Sequence, residues 1–214
     1  FWLSDRRPPR PYKRPASLIK QMMNLLELAS GKTPDPGILP TIDEATQAAA
    51  ENLLPKGPRY IGLLPGAGSR NKCWPLENFT ELARRISDAG YIAVFMLGPD
   101  ELDWREQLEQ DAPDSLFPPM NEEHLLPEIK FSPMKTIAAA QYLSVAVAND
   151  SGSGHMFAAG DVPLVTLFGP TSAEKFAPLT TRSIVVTAQQ FGSDEMEAIP
   201  VDAVMKAVEN LIEN

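Results

Sequence analysis

The chain has 214 residues, 43% of them hydrophobic and 22% charged, which are the values of an ordinary globular protein. Acidic residues outnumber basic ones 28 to 19, a net charge of −9, and such a surface is poorly suited to neutralising phosphates, which argues against nucleic acid as a partner. The one cysteine, Cys73, rules out an internal disulfide and fits a reducing compartment, and no apolar run approaches the roughly 18–20 residues that span a bilayer.

The opening segment, Phe1 to Pro15, is basic and proline-rich and cannot start a core by itself. It reads as a linker or the tail of an upstream domain, with a basic patch for anionic lipid headgroups as the second reading. Residues 17–30 place Leu18, Met22, Leu25, Leu26 and Ala29 on one helical stripe that stops at Gly31. After a break at Pro34, Pro36 and Pro40, Thr41 and Glu44 form a T-x-x-E capping signature for a helix to about Leu54.

Beyond Pro55 short strands alternate with helices. Strands are predicted at Tyr60–Leu64, Tyr91–Leu97, Val145–Ala148, Pro163–Phe168 and Ser183–Val186. Helices are predicted at Pro75–Ala89, Glu101–Gln110, Pro133–Leu143, Ser153–Ala159 and Val201–Ile212. Residues 111–132 carry no clear strand. Apolar strands alternating with helices indicate a parallel sheet covered on both faces, a doubly wound α/β domain over residues 56–214 preceded by a helical linker over 1–55. Ligands of such sheets bind at the carboxyl ends of the strands, so the loops after Leu64, Leu97, Ala148 and Phe168 are the places to look.

The first loop contains Gly66, Ala67, Gly68, Ser69, Arg70 and Lys72. Its glycines allow close backbone approach and Lys72 suits a diphosphate, although a plain βα turn with a solvated lysine has the same composition. It is neither a P-loop nor a G-x-G-x-x-G fingerprint. The second loop offers Asp100 and Glu101, either as ribose ligands or as acids at a helix N-terminus. The third runs Asn149-Asp150-Ser151-Gly152-Ser153-Gly154-His155 into a short helix, whose orphan amides and dipole form an anion site. Here Asp150 is too acidic to face a phosphate and is expected to orient the loop, while His155 either donates to a phosphate or packs. The fourth, Phe168-Gly169-Pro170-Thr171, is a turn or a site wall.

Pro65-Gly66-Ala67 followed by Lys72-x-Trp74-Pro75, then Asp150-Ser151-Gly152-x-x-His155, then Phe168-Gly169-Pro170-Thr171, resemble glycosyltransferase family nine, which contains the ADP-heptose:lipopolysaccharide heptosyltransferases. The resemblance covers about residues 56–180. It implies a GT-B enzyme, two Rossmann-like domains facing across a cleft, of which this chain is the C-terminal, donor-binding half. It implies that Lys72 contacts the donor diphosphate and stabilises the leaving group, and that Gly66, Ala67, Gly68 and Ser69 line the same site. It further implies that Ser151 and Gly152 donate to the phosphates, that Asp150 and His155 shape their loop, that Glu101 takes the ribose, and that the main chain at Phe131 lies against adenine. Ser69 and Arg70 vary the family loop.

The implied reaction is inverting transfer of heptose from ADP-heptose to a lipid-linked saccharide, carried out in the cytoplasm or at the inner face of the inner membrane. The family's catalytic base, an Asp of the N-terminal domain, has no counterpart here, so a missing domain or companion chain is expected to complete the enzyme. No D-x-D motif or His/Cys/carboxylate cluster suggests a metal, and no cofactor is expected. Without a G-x-S-x-G elbow, Asp150, Ser151 and His155 do not read as a hydrolase triad. Two rivals are another GT-B enzyme using a different nucleotide sugar and a non-catalytic nucleotide-binding module.

Overall fold

The computed structural model describes residues 13–35, 37, 39–54, 56–57, 59–118 and 132–213. Five parallel strands form one sheet: β1 (Tyr60–Leu64), β2 (Ile92–Phe95), β3 (Leu143–Asn149), β4 (Leu164–Phe168) and β5 (Ser183–Thr187), in the order β2-β1-β3-β4-β5. The side chains alternate between two cores, as the period of a strand requires. Ile61, Leu63, Val145, Val147, Val165 and Leu167 face one layer, and Tyr60, Leu64, Ala146, Ala148 and Leu164 face the other.

The first layer is built by α3 (Leu76–Asp88), α4 (Arg105–Asp111) and α8 (Val201–Glu213). In α3 the four side chains that the helical period points inward, Phe79, Leu82, Ala83 and Ile86, are all buried. Each larger one is worth ~1.5–3 kcal/mol of burial. The second layer is built by α2 (Glu44–Leu53), α5 (Pro133–Ala140) and α6 (Gly152–Ala159), whose contacts are mostly alanines with Leu54 and Phe157 between them. Small residues there let α5 and α6 sit close to the sheet and to each other. A short helix, α7 (Ala173–Phe176), follows β4.

Outside β2 the sheet gains a single bridging residue. The Phe95 amide donates to the Leu116 carbonyl, and the Leu116 amide to the Ala93 carbonyl, each at 2.8 Å. With Leu116 in that edge position, the order becomes that of a doubly wound nucleotide-binding sheet. The chain runs outward from β1 to β2 on one side and from β3 to β4 on the other. A crevice therefore opens between the carboxyl ends of β1 and β3, which pair directly.

Three local expectations are corrected. The α2 cap is Asp43, not Thr41: its carboxylate accepts from the Thr46 amide at 2.9 Å and the Thr46 hydroxyl at 2.7 Å, and a carboxylate at the helix N-terminus also gains from the dipole. The helix expected from Glu101 begins as a 3-10 turn, Pro99–Trp104, and becomes α-helical only at Arg105. The helix from Pro133 ends at Ala140 and releases Leu143 into the strand.

The first helix, α1 (Leu18–Ser30), is bounded as its sequence indicates, with Ser17 as N-cap and Gly31 at φ 70° as C-cap. It buries no residue. Its stripe is exposed, with Met22, Leu25 and Leu26 at 56%, 59% and 58%. Isolated helices of this length are marginal in water, and beyond its caps α1 has contacts with α7 to hold it. Among the described residues no helix is long and apolar enough to cross a membrane. The basic segment up to Tyr12 lies outside the described residues.

Candidate functional site

The loop leaving β1 is held at both ends by one side chain. Asn149, fully buried at the end of β3, donates from its amide nitrogen to the Pro65 carbonyl at 2.8 Å and accepts the Trp74 amide on its oxygen at 3.1 Å. Trp74 is itself buried, its indole N–H donating to the Ile199 carbonyl at 2.9 Å. Between these anchors the chain makes a 3-10 turn, Arg70–Lys72. Arg70 fastens the outside of that turn, lying over the Trp104 ring at 4.1 Å and pairing with Asp103 at 3.5 Å. The loop that carries Lys72 is thus a fixed cradle.

Lys72 reaches across to the loop after β3, where its Nζ donates to Asp150 Oδ2 at 2.9 Å. The same oxygen accepts the Thr171 hydroxyl at 2.7 Å, so three of the four strand-end loops meet on one carboxylate. The Asp150 side chain is only 10% exposed and that of Lys72 29%, and the attraction is less screened than in an open surface pair. Asp150 thus ties Lys72 and Thr171 together. The loop after β4 takes part through Thr171.

Ser151 caps α6. Its hydroxyl accepts the Gly154 amide at 3.4 Å and is 2.8 Å from the Ser153 hydroxyl. The other first-turn amides have no acceptor within the helix, and the positive end of the dipole lies with them.

On the opposite side Glu101 folds back over the end of the sheet. Its Oε2 accepts the Gly98 amide at 2.9 Å. A Cβ added at Gly66 would stand 2.4 Å from the Glu101 carboxyl carbon, so only glycine at 66 lets the acid occupy this place. Partial burial raises the Glu101 pKa above the ordinary glutamate value, with Asp100 and Asp103 adding to the rise against the Gly98 hydrogen bond and Arg70.

A cavity of about 250 Å³ joins these parts. Gly66, Ala67 and Gly68 form its floor with Gly98 to Glu101 on one flank, and Ser151 to Ser153 on the other. Of the residues expected from sequence, Gly66, Ala67, Gly68, Glu101, Ser151 and Gly152 line it together. Lys72, Asp150 and Ser69 belong to the adjoining loops rather than to its lining. His155 is exposed and lines a different hollow, between α6 and residues Ile19, Met23 and Leu26 of α1. Phe131 lies outside the described residues. Among the described residues no group of three or more His, Cys, Asp or Glu side chains is arranged to hold a metal ion.

Two residues of this region went unremarked in the sequence. Asn149 was visible as the polar residue closing an apolar strand, although nothing local revealed that it clamps a loop more than seventy positions away. Lys135, also lining the cavity, interrupts the apolar face of α5.

The chain has known relatives. Glycosyltransferase family 9 (heptosyltransferase) matches residues 1–199. Lipopolysaccharide heptosyltransferase 1 of Pseudomonas aeruginosa is 32% identical over 116 residues, covering 54% of this chain and 30% of that protein. Lipopolysaccharide heptosyltransferase 2 of Escherichia coli K12 is 31% identical over 133 residues, covering 59% and 35%. Among solved structures, a family 9 glycosyl transferase from Veillonella parvula superposes with a TM-score of 0.79 at 23% identity, covering 97% of this chain and 62% of that one. The E. coli heptosyltransferase WaaC with ADP gives 0.71 at 22%, covering 96% and 59%. The chain spans about a third of the length of these curated relatives and about three fifths of these structures. With its motifs on the strand ends where the fold places a ligand, and with the family match running over most of its length, the chain belongs to glycosyltransferase family 9, the heptosyltransferases.

Proposed function

We propose that this chain supplies the donor site of an inverting glycosyltransferase that moves heptose from ADP-heptose to a saccharide of the lipopolysaccharide core. The observation that carries the reading is the cavity at the β1/β3 crevice, which has amide donors and a helix dipole at one flank and a carboxylate at the other. That polarity matches a nucleotide: phosphates at the α6 N-terminus, ribose hydroxyls donating to Glu101.

The chemistry required of this chain is stabilisation of the departing diphosphate. Charge builds on the phosphate oxygens as the sugar bond breaks, and donors fixed before the event stabilise that charge without reorganising. Lys72 is such a donor, its ammonium placed by Asp150, which Thr171 holds in turn. An ammonium has three N–H groups, so one bond to Asp150 leaves two for phosphate. The base that deprotonates the acceptor comes from a further domain or companion chain. Transfer proceeds without a metal or other cofactor, at the inner face of the inner membrane where the lipid-linked acceptor lies.

The test is calorimetric titration with ADP, UDP and GDP, with and without EDTA, beside Lys72→Ala. Preferential, EDTA-insensitive ADP binding that weakens in the variant supports the reading. A preference for UDP would indicate a GT-B enzyme with another donor. Donor binding with no turnover after the upstream half is restored would mark a non-catalytic module.

A further inference from the structure

Lys135 is the third residue of α5, and only 3% of it is exposed. Its ammonium has no hydrogen-bond partner among the described residues. An ammonium withdrawn from water without an acceptor is among the least favourable arrangements a folded chain can hold, and its persistence points to a ligand.

The surroundings indicate which one. Lys135 lines the cavity at the β1/β3 crevice, together with Ser151 to Ser153 at the start of α6. Helices of this fold run antiparallel to the strands, so α5 and α6 both begin at the carboxyl edge of the sheet, and they pack against each other. Their first turns are neighbours there. The remaining charges make the same case. Among the described residues lining the cavity, Lys135 is the single basic one, against the acids Asp100 and Glu101. Lys72 is engaged by Asp150, and Arg70 by Asp103 and the Trp104 ring. Lys135 offsets one of the two negative charges in the lining, and it is the cation that the lining offers to a polyanionic diphosphate.

We infer that Lys135 is a second cationic contact to the donor, its ammonium binding a phosphate oxygen of the nucleoside diphosphate beside the α6 amides. The inference rests on the donor reading above. It assigns the cation inside the cavity to α5, and leaves Lys72 to act from the cavity's edge.

The test is titration of the wild-type chain, Lys135→Met and Lys72→Ala with ADP, inorganic pyrophosphate and adenosine, each at low and high salt. Methionine keeps the length of the side chain and removes the buried charge, so Lys135→Met is expected to melt at the wild-type temperature or above it. ADP and pyrophosphate should each bind roughly 10- to 100-fold more weakly, adenosine within about twofold of wild type, and the salt dependence of ADP binding should be shallower. Equal losses for adenosine and ADP would overturn the inference in favour of a nucleoside contact. Unchanged ADP and pyrophosphate affinity in Lys135→Met, with Lys72→Ala impaired, would overturn it while leaving the donor site intact. A wild-type chain that binds neither ADP nor pyrophosphate would overturn both.

Discussion

The ammonium of Lys72 and the hydroxyl of Thr171 share a single oxygen, Oδ2 of Asp150, at 2.9 Å and 2.7 Å. The carboxylate therefore stands directly behind the cation assigned to phosphate. Lys72→Ala removes that cation and also bares a negative charge beside the ligand. ADP affinity should fall roughly 10- to 100-fold, and Asp150→Asn added to Lys72→Ala should restore part of the loss. The Asp150 side chain is only 10% exposed, so stranding its charge should also lower the melting temperature of Lys72→Ala, and Asp150→Asn should recover part of that loss. Calorimetry on the double-mutant cycle checks the coupling.

Asn149 spends both ends of its amide inside the protein, on Pro65 and Trp74. Asn149→Asp would set a carboxylate oxygen against the Pro65 carbonyl at a fully buried position. The expected loss is about 2–4 kcal/mol, larger than for Asn149→Ala, which strands the two backbone groups but buries no charge. Urea unfolding should show a lower midpoint at unchanged slope.

Glu101 gives the site a pH dependence whose sign follows from its raised pKa. A carboxyl that holds its proton more tightly in the folded chain than in the unfolded one stabilises the fold below its unfolded pKa. It loses that contribution as pH rises through the folded value. Above its folded pKa the ionised group thus works against folding, while under the donor reading it is the form that accepts from the ribose. Glu101→Gln should melt no lower than wild type at pH 7 and bind ADP roughly 3- to 10-fold more weakly. In wild type, ADP affinity should begin to fall, on acidification, at a pH above that expected of a free glutamate. The variant should lack this step. Titrations and melting curves across the acid range measure both.

The stripe on α1 presents Met22, Leu25 and Leu26 to solvent, each more than half exposed. A contiguous apolar surface of this kind drives association when nothing covers it. Replacing all three by Gln should shift the chain towards monomer in light scattering, with ADP affinity within about twofold of wild type, because the stripe lies away from the donor cavity.

Where one periodicity dominates, the sequence was sufficient. The inward face of α3 is the four residues its spacing marks, and the β1, β3 and β4 strands lie where apolar runs are bounded by turn residues. The strand-end loops that line the cavity were legible because their glycines and serines follow strands directly. Other features depend on partners far away in the chain. Leu116 counts as part of the sheet only because β2 offers it a free edge. The α1 stripe has the right spacing, but spacing does not say what a stripe faces. The choice of Asp43 over Thr41 was decided by two bonds from Thr46, which nothing short of the folded turn reveals. Nothing in the sequence around Lys135 signals its burial, which depends on what the folded chain packs against it.

The contact between Gly66 and Glu101 also constrains how this lineage can change. Any side chain at position 66 meets the carboxyl end of Glu101 as it now lies, so growth at 66 requires that flexible side chain to turn away. An acid that turns away also withdraws its carboxylate from the cavity, so a change at 66 is felt at 101. Two residues separated by a whole βαβ excursion are in this sense inherited as one character.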